Sequence, residues 1–381
     1  MTSLLVVIVL ILLGISIWQI SKIYTLTQIG AGVKIDDSQV ANDRDNNVNG
    51  YLMFGFLVFI YAFMIYSVCK WGRLVLINHP AAEHGKDIDN LMVISFVMIF
   101  IVQIITQALL HYFAFKYRGV EGRKALYFAD NNRLEAIWTI IPVIALSILI
   151  LYGLYTWNNI MFVNPEEEED VLYVELYAKQ FSWEARYAGK DQALGKANVR
   201  LIEGINTLGV DLSDPNAKDD IVTNELHLPV GKRVIFKIRS QDVLHSAYMP
   251  HFRAQMNCVP GMVTEFSFIP TITTAEFRQL PETIDKVAHI NELRRQKSVE
   301  LMAKGEDALE PYEFNYLLLC NKICGASHYN MQMKIIVETQ EEFDKWISSQ
   351  ETLYSKVFPA KEEVEQPQEV VTDSIQVATI R

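Results

Sequence analysis

The chain has 381 residues, half of them apolar, with four cysteines and a net charge of −11. That length allows two or three domains, and the apolar fraction is high for one water-soluble globule, so part of the chain is expected in lipid. The acidic balance suits a basic partner in sign, and nucleic acid is not among the expected partners.

Four apolar runs, at about residues 3–20, 51–69, 91–115 and 136–155, each approach the ~20 residues a helix needs to cross ~30 Å of hydrocarbon. The first reads as a retained membrane helix: Met1, Thr2 and Ser3 bring no basic residue, and the run passes Trp18 and Ile20 without a small-x-small cleavage site. A cleaved secretory signal is the other reading of that run. Cys69, in the second run, reads as a small core residue. Gln103, Gln107 and His111, in the third, read as polar groups that face protein rather than lipid. Basic residues gather between the third and fourth runs, at Lys116, Arg118, Arg123, Lys124 and Arg133. The loop before the third run has only Arg73 and Lys86 beyond Lys70. The basic loop is therefore expected on the cytoplasmic side. Alternation then puts the N-terminus and everything after about Trp157 outside.

After the fourth run comes an acidic spacer, "NPEEEED" at residues 164–170, and then "VLYVELYAKQFSWEARY" at 171–187, which reads as a strand pair or one long strand. Further strands are expected at 225–228, 233–239, 262–269, 314–319 and 333–338, with turns at 229–231 and 260–261. Short strands between turns predict an all-β antiparallel sandwich or barrel. Residues 281–311, rich in Glu, Lys, Leu and Ala, predict a helical insertion. A last amphipathic helix is expected at about 340–349, before a polar tail over 350–381.

The chemistry concentrates in "CNKICGASHYNM", residues 320–331, which holds Cys320, Cys324, His328 and Met331. Thiolate, imidazole and thioether suit copper better than magnesium or calcium. A second cysteine at this spacing allows both sulfurs to bridge a copper pair. A further histidine is needed, and "SQDVLHSAYMP" offers His245, just after a strand, with His251 as the competing candidate. A disulfide or a zinc site are the other readings of the cysteine pair.

These motifs resemble subunit II of cytochrome c oxidase, the haem-copper oxidase subunit that carries the dinuclear copper A centre. The pattern Cys-x-x-x-Cys-Gly-x-x-His-x-x-Met is complete here, "DVLHS" stands at 242–246, the Pro-Gly turn at 260–261, "NRLEAIWTIIP" at 132–142 and "FDKW" at 343–346. The resemblance covers about residues 91–349. It implies helical membrane segments joined to an all-β cupredoxin-like domain, to which the helical insertion at 281–311 is an addition relative to most members. Residues 91–157 would be the family's membrane hairpin, 168–349 its outer copper domain, and 1–24 and 51–72 two additional helices.

The resemblance further implies copper ligation by His245, Cys320, Cys324, His328, Met331 and the backbone carbonyl of Lys322. It gives donor docking to Asp242, electron input to Phe181 and Trp183, and the mouth of a proton path to Glu135. The residues alone read Glu135 equally as a carboxylate favoured at a helix start, and Phe181 and Trp183 as packing between strands. Two departures stand out. Lys322 replaces the family glutamate that helps hold magnesium, so no magnesium ligand is expected from this chain; "QFSW" at 180–183 replaces "QWYW". No Cys-x-x-Cys-His is present, so no haem c is expected.

The implied partners are oxidase subunits I and III, the bilayer and a c-type cytochrome, tethered or held in a larger respiratory complex. The implied place is a bacterial inner membrane with the copper domain on the periplasmic side. A copper-free quinol oxidase subunit II and a copper-delivery factor are the rival readings.

Overall fold

The computed structural model describes residues 2–30, 42–72, 79–162 and 171–359. Two compact units form. One comprises residues 1–75 and 91–151, the other residues 76–90 and 152–381.

The first unit is helical. Helices α1 (Thr2–Gly30), α2 (Asp43–Trp71), α3 (Gly85–Lys116) and α4 (Asn132–Met161) coincide with the four apolar runs. Among the described residues, α2, α3 and α4 are long and apolar enough to cross a membrane, and α1 contributes a shorter apolar stretch, Ile8–Tyr24. Their apolar side chains lie outward, as lipid-facing helices require. Polar groups turn instead toward protein. The Tyr61 hydroxyl on α2 donates to the Ile104 carbonyl on α3 at 2.6 Å, and Arg118 donates to Asn47 at 2.6 Å. His111 is buried, its Nδ1 2.8 Å from the Gln107 carbonyl and its ring against Phe56. Gly50 on α2 leaves room for Phe115 and Arg118, where a Cβ would lie 2.7 Å from the Phe115 ring.

The second unit is built on two five-stranded sheets. The strands are β1 (Val171–Lys179), β2 (Ser182–Tyr187), β3 (Ile221–Thr223), β4 (Leu226–Pro229), β5 (Arg233–Ser240), β6 (His245–Met249), β7 (Ala254–Cys258), β8 (Thr264–Phe268), β9 (Tyr316–Cys320) and β10 (Gln332–Glu338). One sheet has the order β3-β2-β1-β5-β8 and the other β4-β10-β9-β6-β7. The antiparallel expectation needs correction, because β1 runs parallel to β5 and β4 parallel to β10. The run 171–187 resolves into a hairpin, Val174 opposite Tyr187 and Lys179 opposite Ser182. Alternation places Tyr316, Leu318 and Cys320 of β9 and Met333, Ile335 and Val337 of β10 in the core, beside Trp183, Tyr187, Phe236, Phe252 and Phe268.

Four α-helices follow among the described residues of the unit: α5 (Thr274–Arg278), the longer α6 (Pro281–Met302), α7 (Gln340–Ser348) and α8 (Leu353–Val357). The insertion expected as helical to 311 is helical only to Met302. Beyond it the chain returns along α6: Asn291 bonds both the amide and the carbonyl of Tyr312, and Leu309 N–H donates to Ser298. Asn291 and Ser298 can satisfy an irregular strand that composition alone reads as helix. Residues 353–357, expected within the polar tail, form α8, which buries Leu353, whose N–H donates to the Asp220 carbonyl. Helix α7 opens with a reciprocal capping box between Thr339 and Glu342.

Candidate metal centre

Three chain segments converge at one end of the second sheet. β9 ends at Cys320, β6 begins at His245, and the β1–β2 turn brings Gln180 and Phe181. His245 follows β5, which ends at Ser240, and itself opens β6. Its strand lacks the β-branched residues that mark strands in sequence and forms by pairing with β7 and β9, His245 opposite Cys258 and Ala247 opposite Cys320.

The cysteine pair is not bridged: all four cysteines are free, and the Sγ atoms of Cys320 and Cys324 are 3.9 Å apart, far beyond the ~2.05 Å of a disulfide. Around these sulfurs the other donors close in. His245 Nδ1 lies 3.8 Å from Cys320 Sγ, His328 Nδ1 3.6 Å from Cys324 Sγ, and Met331 Sδ 3.8 Å from Cys324 Sγ. The Lys322 carbonyl lies 3.2 Å from Cys320 Sγ. Each sulfur thus has its own imidazole nitrogen. Donor atoms of His245, Cys320 and Cys324 all lie within 4.8 Å of one another, and the three residues are buried. The Lys322 side chain points to solvent.

Asp242 fixes which nitrogen of His245 is free. Its Oδ1 sits 2.8 Å from His245 Nε2, and a carboxylate can only accept, so Nε2 carries the proton and Nδ1 presents its lone pair to the sulfur side. The same carboxylate accepts from Gln180 N–H at 2.8 Å and Val243 N–H at 2.7 Å. Burial opposes its ionisation, but the hydrogen bonds from His245, Gln180 and Val243 prevail and hold the carboxyl below its usual range. The acid read as a docking residue is exposed, and its carboxylate also accepts these three hydrogen bonds from within the domain. Burial and the neighbouring Cys320 push the Cys324 thiol up to about 11, so a metal that takes Cys324 as thiolate displaces its proton.

His251, the competing histidine, lies elsewhere. It sits in a 3₁₀ turn, Pro250–Phe252, boxed by the rings of Phe277, Phe314 and Tyr316. Trp183 is buried with its ring 6.3 Å from that of His245, and Phe181 is half-buried against Gly325. Glu135 lies in the first turn of α4, in the helical unit. Gln180 is the site residue that sequence reading passed over, although it opens the "QFSW" motif. Its side chain donates to the Cys324 carbonyl at 2.5 Å.

Residues 78–157 match the family model of the cytochrome c oxidase subunit II transmembrane domain, and residues 173–289 that of its periplasmic domain. The chain belongs to the cytochrome c oxidase subunit II family. It is a membrane protein, and the two-sheet unit is its outside domain. The chain is similar to the alternative cytochrome c oxidase subunit 2 of Bradyrhizobium diazoefficiens, 32% identical over 72% of this chain and 83% of the relative. It is similar also to the cytochrome bo(3) ubiquinol oxidase subunit 2 of Pseudomonas putida, 22% identical over 78% of this chain and 72% of that one. Among solved structures, the periplasmic domain of cytochrome oxidase subunit II from Bradyrhizobium japonicum aligns with 47% of this chain and 93% of its own, at 19% identity and a TM-score of 0.26. The donor set, two unpaired thiols, two Nδ1 atoms and a thioether, is soft to borderline throughout and is consistent with a copper site.

Proposed function

We propose that this chain is the electron-accepting subunit of a cytochrome c oxidase of a bacterial inner membrane. His245, Cys320, Cys324, His328, Met331 and the Lys322 carbonyl would hold a dinuclear copper centre. When bound, such a pair supplies one-electron transfer with little change of geometry. The observation that carries the reading is the symmetry of the donors: one imidazole Nδ1 beside each of two unpaired sulfurs, with a thioether and a carbonyl as the outer pair.

The chain's own residues have distinct tasks. Asp242 holds His245 in the tautomer that offers Nδ1. Burial of Cys320, Cys324 and Met331 keeps water from the sulfurs. Phe181 and Trp183 form the aromatic approach from the donor side, Phe181 against Gly325 and Trp183 edge-on to His245. Exposed apolar side chains in the ligand loops, Leu244, Ile323 and Tyr329, provide surface for contact with the haem-bearing subunit I or the c-type cytochrome donor. Electrons would pass to haem in subunit I, where oxygen is reduced to water with proton pumping, and subunit III completes the complex. Glu135, exposed at the start of α4, is available as a proton-path mouth on the cytoplasmic side. With Lys322 between the cysteines, this chain offers no carboxylate there for magnesium.

Electron paramagnetic resonance on the purified complete subunit, reconstituted with copper, tests the reading. One unpaired electron shared equally by two copper nuclei, lost in Cys320→Ser, is the expected result. A single-copper signal, or no copper retained, would reject it in favour of a copper-free subunit of the quinol oxidase kind.

A further inference from the structure

We infer that Gln180 is a positioning residue of the metal centre, a clamp that holds the Cys324 loop to the His245 loop; the role in tuning copper rests on the proposed function above. Gln180 belongs to neither ligand loop. It stands in the tight turn between β1 and β2, and β1 is fixed on both sides by pairing with β2 and β5. From that base its two donors point to two different places. The backbone N–H donates to Asp242 Oδ2 at 2.8 Å, and the other oxygen of that carboxylate takes the Nε2 proton of His245. The side-chain Nε2 donates to the Cys324 carbonyl at 2.5 Å. One residue thereby joins the support of one imidazole to the backbone of one thiol.

The Cys324 loop has little else to hold it. Among the described residues, the hydrogen bonds of residues 322–327 run within the segment 320–331, apart from this one. The loop is also shaped to receive the clamp. Gly325 has φ +143°, a conformation that favours glycine, and a Cβ there would fall 2.9 Å from Gln180 Nε2 and 2.8 Å from the Phe181 ring. Cys324 Sγ is the hub of the donor set, within 3.9 Å of Cys320 Sγ, His328 Nδ1 and Met331 Sδ. A shift of this backbone therefore alters three donor distances together. It also frees the two sulfurs to approach each other.

Closure to a disulfide reads that freedom without any copper. Two thiols give up two protons and two electrons to hydrogen peroxide, which leaves as two waters. In the complete subunit, copper-free and reduced, Cys320–Cys324 closure followed by peptide mass mapping is expected to run severalfold faster in Gln180→Met, which keeps the length and lacks the donor. Gln180→Glu, isosteric and ionised at neutral pH, has no N–H to offer and is expected to behave alike. With copper added, both variants are expected to shift the midpoint potential and to change the hyperfine pattern from equal to unequal sharing, at an unchanged melting temperature of the copper-free chain. Unchanged closure in whichever variants fold, or faster closure matched by a general fall in melting temperature, overturns the clamp. Faster closure with unaltered potential and hyperfine pattern overturns its role in tuning copper. If the wild-type chain retains no copper pair, the copper reading fails, and the closure rates still decide the clamp.

Discussion

Asp242 shows what a residue's spacing can and cannot say. Standing three before His245, it reads in sequence as a surface acid, and it is exposed, but only the fold reveals that its carboxylate also accepts from Gln180, Val243 and His245. The side chains proposed as metal ligands were legible for the opposite reason. Four of them lie within twelve residues, so the covalent chain itself keeps them together. Replacing Asp242 by Asn leaves one amide oxygen for three donors and sets an N–H group against the others. Carboxylates that orient metal-bound imidazoles are worth about 10–100-fold in metal affinity. Asp242→Asn is accordingly expected to weaken copper binding by about that factor, read by competition against a chelator of known affinity. Unaltered affinity would mean that the strand alone orients His245.

At the scale of elements, β1, β2, β5, β9 and β10 were legible because they are short runs rich in apolar, aromatic or β-branched residues, whereas β6 and β7, "HSAYM" and "AQMNC", were not. Those two are strands because Ala247 and Met249 of one and Ala254 and Cys258 of the other are buried in the core and their backbones pair. The turn between them carries His251 into a box made by α5, the segment before β9 and β9 itself. Burial first, then the charges of Lys286 and Arg253, push its imidazole down to about 4. The folded chain therefore binds fewer protons than the unfolded chain between that value and the usual ~6.5. Stability from this group is fully present above about pH 6.5 and is lost as pH falls toward 4, a few kcal/mol in all. Thermal melts at pH 7 and pH 5 are expected to differ less in His251→Phe than in the wild type. Comparing the two chains cancels Asp220, whose carboxyl burial raises to about 6 and which acts in the opposite direction. Equal pH sensitivity in both would show that His251 titrates normally.

For the whole molecule, the informative join is the segment 79–90, which precedes the long apolar part of α3 yet belongs to the outer unit. Backbone bonds stitch it there: Ala81 N–H to the His251 carbonyl, Glu83 N–H to Ile269 and Thr271 N–H to Ala81. Asp89, inside α3, then receives the Arg253 guanidinium as a fork, Nε on one oxygen at 2.7 Å and Nη2 on the other at 2.8 Å. Both side chains are only 7% exposed. No sequence signal joins two residues 164 positions apart, so this pair was not legible. Removing one member of a buried pair strands the other charge and costs about 3–5 kcal/mol, whereas replacing both by apolar groups is often close to neutral. Asp89→Leu is thus expected to lower the melting temperature of the complete subunit sharply, and Asp89→Leu with Arg253→Met to recover most of the loss. If the double variant were as unstable as the single, the fork would be contributing net stability rather than merely neutralising Arg253. The segment 79–90 would then depend on that charge pair as well as on its backbone bonds for its place against the sheets.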